Sequence, residues 1–311
     1  MRLKNISVGN TQIKNNVFLA PMAGYTDCAF RAEILSLGAG LVFTELVSAK
    51  GMYFGGSNNA SLTATTDHNK TAVQIFGAEE YYMRYACECE ELKDYKIVDI
   101  NMGCPVPKVY KNGEGSALLK DIKKAESIVK ECVKSGKDIT VKIRTGLKRG
   151  DDIATEYAKM CEDAGAKLIT IHGRVRDDYY SGEPDFNAIA KAKRAVNIPV
   201  IANGGIFTEE DADLMMERTG ADGVMIARGG ISDPFLFARL TGTKTDGDLK
   251  AFIIRHLNGM KTFLPDRKAA VEFRKFVSFY FKGLKNSKDL KLKIMATQTV
   301  DEIISIIKEN L

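Results

Sequence analysis

The chain has 311 residues, 45% of them hydrophobic, so it can bury a large core without a cystine framework. Its longest apolar stretches are strand-length, which argues against a membrane-spanning helix. The opening MRLKNISVGN lacks the apolar run of a signal peptide, so the protein is expected in the cytoplasm with its six cysteines reduced. The formal charge of +5 is uneven: Met1 to Thr243 carries 31 basic and 32 acidic residues, and Lys244 to Leu311 carries 14 and 8. Such an excess at one end fits an acidic partner, and fits a solvated helical surface equally well.

In chain order, Ile6 to Ile13 alternates around Gly9-Asn10 and is expected to form a two-residue hairpin capping the bottom of the main domain. Eight apolar, β-branched runs follow: Val17 to Ala20, Leu41 to Thr44, Val73 to Phe76, Ile97 to Ile100, Ile139 to Ile143, Leu168 to Ile171, Pro199 to Ala202 and Gly223 to Ala227. Helical patterns such as Ala125 to Lys134 and Ile153 to Ala164 separate most of them, often closed by a glycine. This rhythm predicts an α/β fold, a (β/α)8 TIM barrel, over residues 1–240; a doubly wound open sheet rarely needs eight such units.

After Leu240 the strand signal stops. Thr241 to Asp248 reads as a linker into a helical domain over residues 241–311, with a core of its own and helices at Leu249 to Phe263, Arg267 to Leu284, Leu290 to Thr297 and Val300 to Asn310. In the second of these, Phe273, Phe276, Val277, Tyr280 and Leu284 share one face. Lys268, Lys275 and Lys282 recur on the other, as either an ordinary solvated face or a contact surface for a polyanion.

Barrel active sites lie at the C-terminal ends of the strands, and here those ends are polar. They carry Pro21, Met22 and Ala23, then Gln74, then Asn101 and Cys104, then Lys142, then His172 and Arg174, then Asn203, Gly204 and Gly205, and finally Ala227 and Arg228. Glycine turns after the last two strands match the usual phosphate site of such barrels, to which Arg228 adds a fork of donors. Lys142 points inward and needs an anionic partner, which a flavin anionic on reduction or a structural carboxylate would supply. His172 fits the same site or a satisfied core position, while His68 and His256 are expected at the surface. Cys28, Cys132 and Cys161 read as buried hydrophobes, and Cys87 and Cys89 face different sides of a helix, so no metal site is expected. Cys104 differs: a Gly-Cys-Pro corner ends its strand and displays the thiol, which suits a proton donor or a nucleophile.

Taken together, the stretches APMAGYTDCAFR from Ala20, VDINMGCPVPKV from Val98, VKIRTG from Val141, TIHGRVR from Thr170, IPVIANGGI from Ile198 and DGVMIARG from Asp222 resemble the tRNA-dihydrouridine synthases, closest to the bacterial B-type branch. The resemblance implies an FMN-containing barrel, reduced by NADPH, that reduces the C5–C6 double bond of a uridine in tRNA, with a hydride to C6 and a proton from Cys104 to C5. It implies that Pro21, Met22, Ala23 and Gln74 hold the flavin ring and Lys142 its N1/O2 side, with His172, Asn203, Gly204, Gly205, Ala227 and Arg228 completing the FMN site. It also implies that Asn101 bonds the uracil edge, that Arg174 and Arg176 touch the RNA, and that Lys268, Lys275 and Lys282 bind it. The chain departs from the family at Gly205, where many members have Asp, and at Asp178, where glutamine is common. Rival readings are an FMN barrel acting on a free pyrimidine, as dihydroorotate dehydrogenases do, and a tRNA-binding protein without catalysis. An intact Cys104 and Lys142 argue against the second of these.

Overall fold

The structure, a computed structural model, describes residues 2–284 and 287–311. Its first strands, β1 (Ile6–Val8) and β2 (Thr11–Ile13), form the expected hairpin, with Gly9 at φ +55° in a turn that disfavours a side chain. Eight parallel strands follow: β3 (Val17–Leu19), β4 (Leu41–Ser48), β5 (Thr71–Phe76), β6 (Ile97–Met102), β7 (Asp138–Arg144), β8 (Leu168–His172), β9 (Val200–Asn203) and β10 (Gly223–Ile226). They pair in sequence order, and β10 closes on β3, giving the (β/α)8 barrel. Closure leaves the barrel sheet without an open edge among the described residues.

Alternation explains why the strands are buried on both faces. Along β6, Val98, Ile100 and Met102 pack outward with Ile128, Val129 and Cys132 of the helix Ile122–Val133, and Ile97 packs inward. The lower bore is filled by Phe18, Leu41, Phe43, Ala72, Ile97, Leu168, Ile201 and Met225, against Ile6, Val8 and Ile13 of the hairpin. The hairpin is held by the backbone N–H of Asn10 and the hydroxyl of Thr11, which donate to the Asp138 carboxylate at the start of β7 (3.3 and 2.8 Å). Strand β4 runs past the expected Thr44 because the β4–β5 register shifts between Phe43 and Leu46; the Thr44 hydroxyl receives the Gln74 N–H across that shift (3.0 Å).

The C-terminal helices differ from expectation in three ways. First, the segment expected as one helix from Arg267 is two, Asp266–Phe273 and Val277–Tyr280. Tight turns such as Phe276 N–H to Phe273 O (2.9 Å) separate them and gather Phe273, Phe276 and Tyr280 around one ring. Second, that ring is His256, expected at the surface and in fact fully buried. Its Nε2 lies 3.2 Å from the Asp27 carboxylate, its Nδ1 lies 3.0 Å from the Tyr280 hydroxyl, and the ring of Phe276 is 4.7 Å away. Third, these aromatics share one apolar cluster with the barrel helix Cys28–Ser36, rather than building a separate core. An Arg255–Glu33 ion pair (2.9 Å) and the Phe30–Phe252 contact (6.4 Å) fix the same seam. His68 is half-buried against the ring of Tyr95 (4.8 Å).

Candidate active site

A cavity of about 410 Å³ opens at the C-terminal ends of the barrel strands, within the size range of small-molecule sites. It collects Pro21, Met22, Ala23, Gln74, Asn101, Cys104, Lys142, His172, Arg174, Asn203, Gly204, Gly205, Ala227 and Arg228 from seven strand ends, and adds Leu46, Met225 and Tyr180. Tyr25 and Phe279 bring the barrel's first loop and the helical region to the same wall, with ring centroids 5.5 Å apart.

Cys104 is 8% exposed, at the corner the Gly-Cys-Pro sequence makes after β6. Its carbonyl accepts from the Ser116 hydroxyl (2.7 Å) and the Ser116 N–H (3.1 Å), which hold the outer side of the corner. Its inner side hangs from Asn101, whose Oδ1 accepts from the N–H groups of Gly103 (3.2 Å) and Cys104 (2.9 Å). The amide nitrogen of Asn101 in turn donates to Gln74 Oε1 (2.9 Å), so the group expected to grip a uracil is already engaged with the protein at both ends. Burial pushes the Cys104 thiol above its ordinary range despite Arg144 and Lys142 nearby, so it is protonated at neutral pH.

The cavity is cationic. Lys142, Arg144, Arg174 and Arg228 line it, and among the described residues no Asp or Glu does. Lys142 Nζ donates to Asn203 Oδ1 (3.1 Å), and burial followed by the charge of Arg144 brings its pKa down to about 8. Burial, then the surrounding Lys142, Arg144, Arg174 and Arg228, holds His172 well below the ordinary histidine range, so its ring is neutral. Gly204 (φ +122°) and Gly205 (φ +71°) bring bare backbone to the wall; a Cβ on Gly204 would meet His172 Cδ2 at 2.9 Å. A ligand with an anionic tail and a flat ring fits this donor set, with Met22, Leu46 and Met225 as apolar surface for the ring.

Two of the residues expected to touch RNA differ in their placement. Arg174 is only 7% exposed and spends its guanidinium on the Ser181 carbonyl (3.0 Å) and the Gly182 carbonyl (2.7 Å), with Nη1 3.3 Å from His172 Nε2. It ties its loop down beside the cavity instead of reaching outward. Arg176 lies outside the cavity, stacked 3.7 Å from the ring centroid of Tyr110, over which Lys120 also sits (4.4 Å). The lysine stripe is divided by the break in its helix. Lys268 and Lys282 are exposed, whereas Lys275 is half-buried, paired with Glu272; Lys268 and Lys275 line a second cavity of about 260 Å³ with Asp27 and Glu45, where the barrel meets the helical region.

Sequence reasoning passed over Asp99, Arg144 and Tyr180. Asp99 is fully buried one layer beneath Asn101, where burial raises its carboxyl to about 6. A lone carboxylate inside an apolar strand was the available signal. Arg144 is 2% exposed and bridges the corner to the following loop, donating to the carbonyls of Gly103 (2.8 Å), Val175 (3.0 Å) and Tyr179 (2.8 Å). Tyr180 lies over the same wall, 4.8 Å from the Arg228 guanidinium and 6.4 Å from the His172 ring. It follows Tyr179, which is the one non-glycine residue with positive φ (+50°) among the described residues.

A closed barrel that gathers a thiol, a lysine and a neutral histidine in one cavity at its strand C-termini defines a TIM-barrel enzyme. The family model described as dihydrouridine synthase matches residues 18–311, and the chain belongs to that family. The assignment makes it a flavin-dependent oxidoreductase. The chain is 35% identical to tRNA-dihydrouridine synthase B of Pseudomonas putida, covering 94% of this chain and 90% of that one. It is 33% identical to a probable tRNA-dihydrouridine synthase of Rickettsia conorii, over 92% and 90%. Among solved structures, histamine dehydrogenase from Rhizobium sp. 4-9 aligns with a TM-score of 0.59 at 13% identity, over 82% of this chain and 50% of that one. TcOYE with pHBA aligns at 0.58 and 10%, over 84% and 98%; at such identities the likeness is one of fold.

Proposed function

We propose that the protein reduces the C5–C6 double bond of uridine in tRNA to 5,6-dihydrouridine, with FMN as its flavin and NADPH as the reductant. The observation that carries this reading is a cavity lined by four cations and, among the described residues, by no carboxylate, with the Cys104 thiol at its wall. Bound there, the flavin would supply the hydride for uracil C6. The chain's own part is to hold the ligand and to hold a proton. Gly204, Gly205 and Arg228 would hold its phosphate, Lys142 would balance negative charge on its ring, and neutral His172 would serve as a hydrogen-bonding partner. Pro21, Met22, Ala23, Gln74, Asn203 and Ala227 complete the bed of the ring. Cys104 gives its proton to C5, so that hydride and proton together saturate the bond and leave a thiolate that water reprotonates.

RNA binding falls to the exposed Lys268 and Lys282 on the helical region and to the half-buried Arg176 stacked on Tyr110, with Lys275 and Arg174 in supporting positions. Turning a base out of folded RNA costs a few kcal/mol, which contacts to phosphates offset in a salt-dependent way. The domain division at residues 240 and 241 belongs to this reading: a barrel that does chemistry and a helical region that orients the RNA.

The test is to supply purified protein with FMN, NADPH and an unmodified tRNA transcript and to measure dihydrouridine by mass spectrometry. Dihydrouridine in the transcript is expected. Reduction of free uridine with no reduction of tRNA would favour a free-pyrimidine reductase, and tRNA binding without NADPH oxidation would reduce the protein to a binder.

A further inference from the structure

Between Cys104 and the interior of the barrel runs a chain of side chains whose hydrogen bonds all point one way. The N–H groups of Gly103 and Cys104 donate to Asn101 Oδ1 (3.2 and 2.9 Å), Asn101 Nδ2 donates to Gln74 Oε1 (2.9 Å), and Gln74 Nε2 donates to Asp99 Oδ2 (2.6 Å). The hydroxyl of Thr140 donates to the other Asp99 oxygen (2.5 Å). Asn101 is 6% exposed and the other three are fully buried, so water does not compete for these bonds.

The two ends of the chain are chemically fixed. A backbone N–H only donates, an ionised carboxylate only accepts, and each amide between them has one donating and one accepting side. Two amides in series join that donor to that acceptor in one orientation, with both NH₂ groups turned toward Asp99. Without an acceptor at position 99, Gln74 is free to turn over. Its NH₂ then opposes that of Asn101, and Asn101 in turn loses the orientation that holds the corner. The strands deliver this register: Gln74 pairs with Asp99 across β5–β6, and Asp99 with Thr140 across β6–β7.

We propose that Asp99 is a positioning residue: from beneath the cavity it fixes the Gln74 and Asn101 amides, and through them the corner that carries the Cys104 thiol. Its bearing on catalysis rests on the proton-donor role given to Cys104 above. A buried carboxylate surrounded by an apolar strand is costly, and this chain gives it a use that no packing argument supplies.

Amide hydrogen exchange in the full-length protein tests this without relying on turnover. Asp99→Leu, of similar size and without an acceptor, and Gln74→Met, which cuts the chain midway, should each speed exchange at Gly103 and Cys104 about ten-fold, while exchange in the helix Ile122–Val133 stays unchanged. Asp99→Asn keeps an acceptor for Gln74 and should restore most of the protection. Because Asp99 acts through Gln74, the double variant should exchange no faster than Gln74→Met alone.

Full additivity in the double variant, or unchanged exchange at the corner in Gln74→Met, would overturn the proposal. Should Asp99→Leu lose protection throughout the barrel, Gln74→Met decides alone by the same criterion. Faster exchange at the corner with undiminished tRNA reduction would leave the chain standing and remove Cys104 as the donor.

Discussion

The same eight strands build two different interiors. In the lower half of the bore, inward positions hold Phe18, Leu41, Phe43, Ile97, Leu168, Ile201 and Met225, and the hairpin closes over them. Two to four residues further along the strands, inward positions hold Gln74, Asp99, Asn101, Lys142, His172 and Asn203. Alternation is common to both halves, so backbone geometry does not distinguish them; side-chain chemistry does. The lower half gains free energy by leaving water, while the upper half holds desolvated polar groups whose orientation is its product. Stability and function are thus stacked along one axis, and substitutions in each half should fail in different assays.

The largest separation should come from Cys104→Ala. We expect dihydrouridine formation to fall by about 10² to 10⁴, the usual worth of a general acid, with flavin retained and unfolding free energy changed by less than about 1 kcal/mol. Turnover measured beside thermal unfolding gives both numbers, and undiminished turnover would take the thiol out of the chemistry. The matching lower-half change is Phe43→Ala. That ring is fully buried against Phe18 (6.4 Å), so its loss should cost about 3 to 5 kcal/mol of stability and leave turnover per folded molecule unchanged. A stable Phe43→Ala protein with impaired turnover would break the division between the halves.

Lys142→Met sharpens the comparison because its two effects have opposite signs. The folded-state pKa of about 8 lies below the ordinary lysine value, so the folded protein binds this proton less tightly than the unfolded chain. Burying the charge therefore lowers stability below pH 8, and stability recovers as pH rises from about 8 to 10.5, where only the unfolded chain still carries the proton. Without bound flavin, the variant should be more stable than the parent by about 1 to 3 kcal/mol at pH 7, a gap that closes above pH 8. With flavin, it should release the cofactor more readily. Chemical denaturation across pH and flavin retention by absorbance measure the two; a variant less stable at pH 7 would show that Lys142 already has the counter-charge it needs.

How much of this was legible follows from how far apart the partners lie in sequence. The eight strands were legible because each is a short β-branched run, and their ends because a barrel sends successive strand ends to one place. What sequence could not supply were partnerships made across the fold. His256 meets Asp27, 229 positions away, and nothing beside His256 in the chain reveals a buried ring. Asp99 meets Gln74 and Thr140 on neighbouring strands, so it looks like a blemish in an apolar run until the register is known. Arg174 and Arg176 are two residues apart in one motif, yet the loop sends the first into the cavity and the second onto Tyr110. The lysine stripe presumed an unbroken helix, and the turn before Val277 divides it.

The smallest expected effect lies outside both halves of the bore, and it asks whether RNA affinity is separable from them. Lys268 and Lys282 are exposed, so reversing each to Glu should barely change folding, within about 0.5 kcal/mol. If each neutralises one phosphate, the pair of reversals should weaken tRNA binding similarly for every tRNA sequence and reduce the slope of log affinity against log salt by about 2. Half-buried Lys275, already paired with Glu272, should contribute less than either when changed alone. NADPH oxidation by the flavin should persist, since neither exposed lysine lines the cavity. Filter binding at several salt concentrations, with NADPH oxidation followed in parallel, reads both quantities. An unchanged salt slope would move the RNA contacts off the helical region and toward the rim around Arg176 and Tyr110.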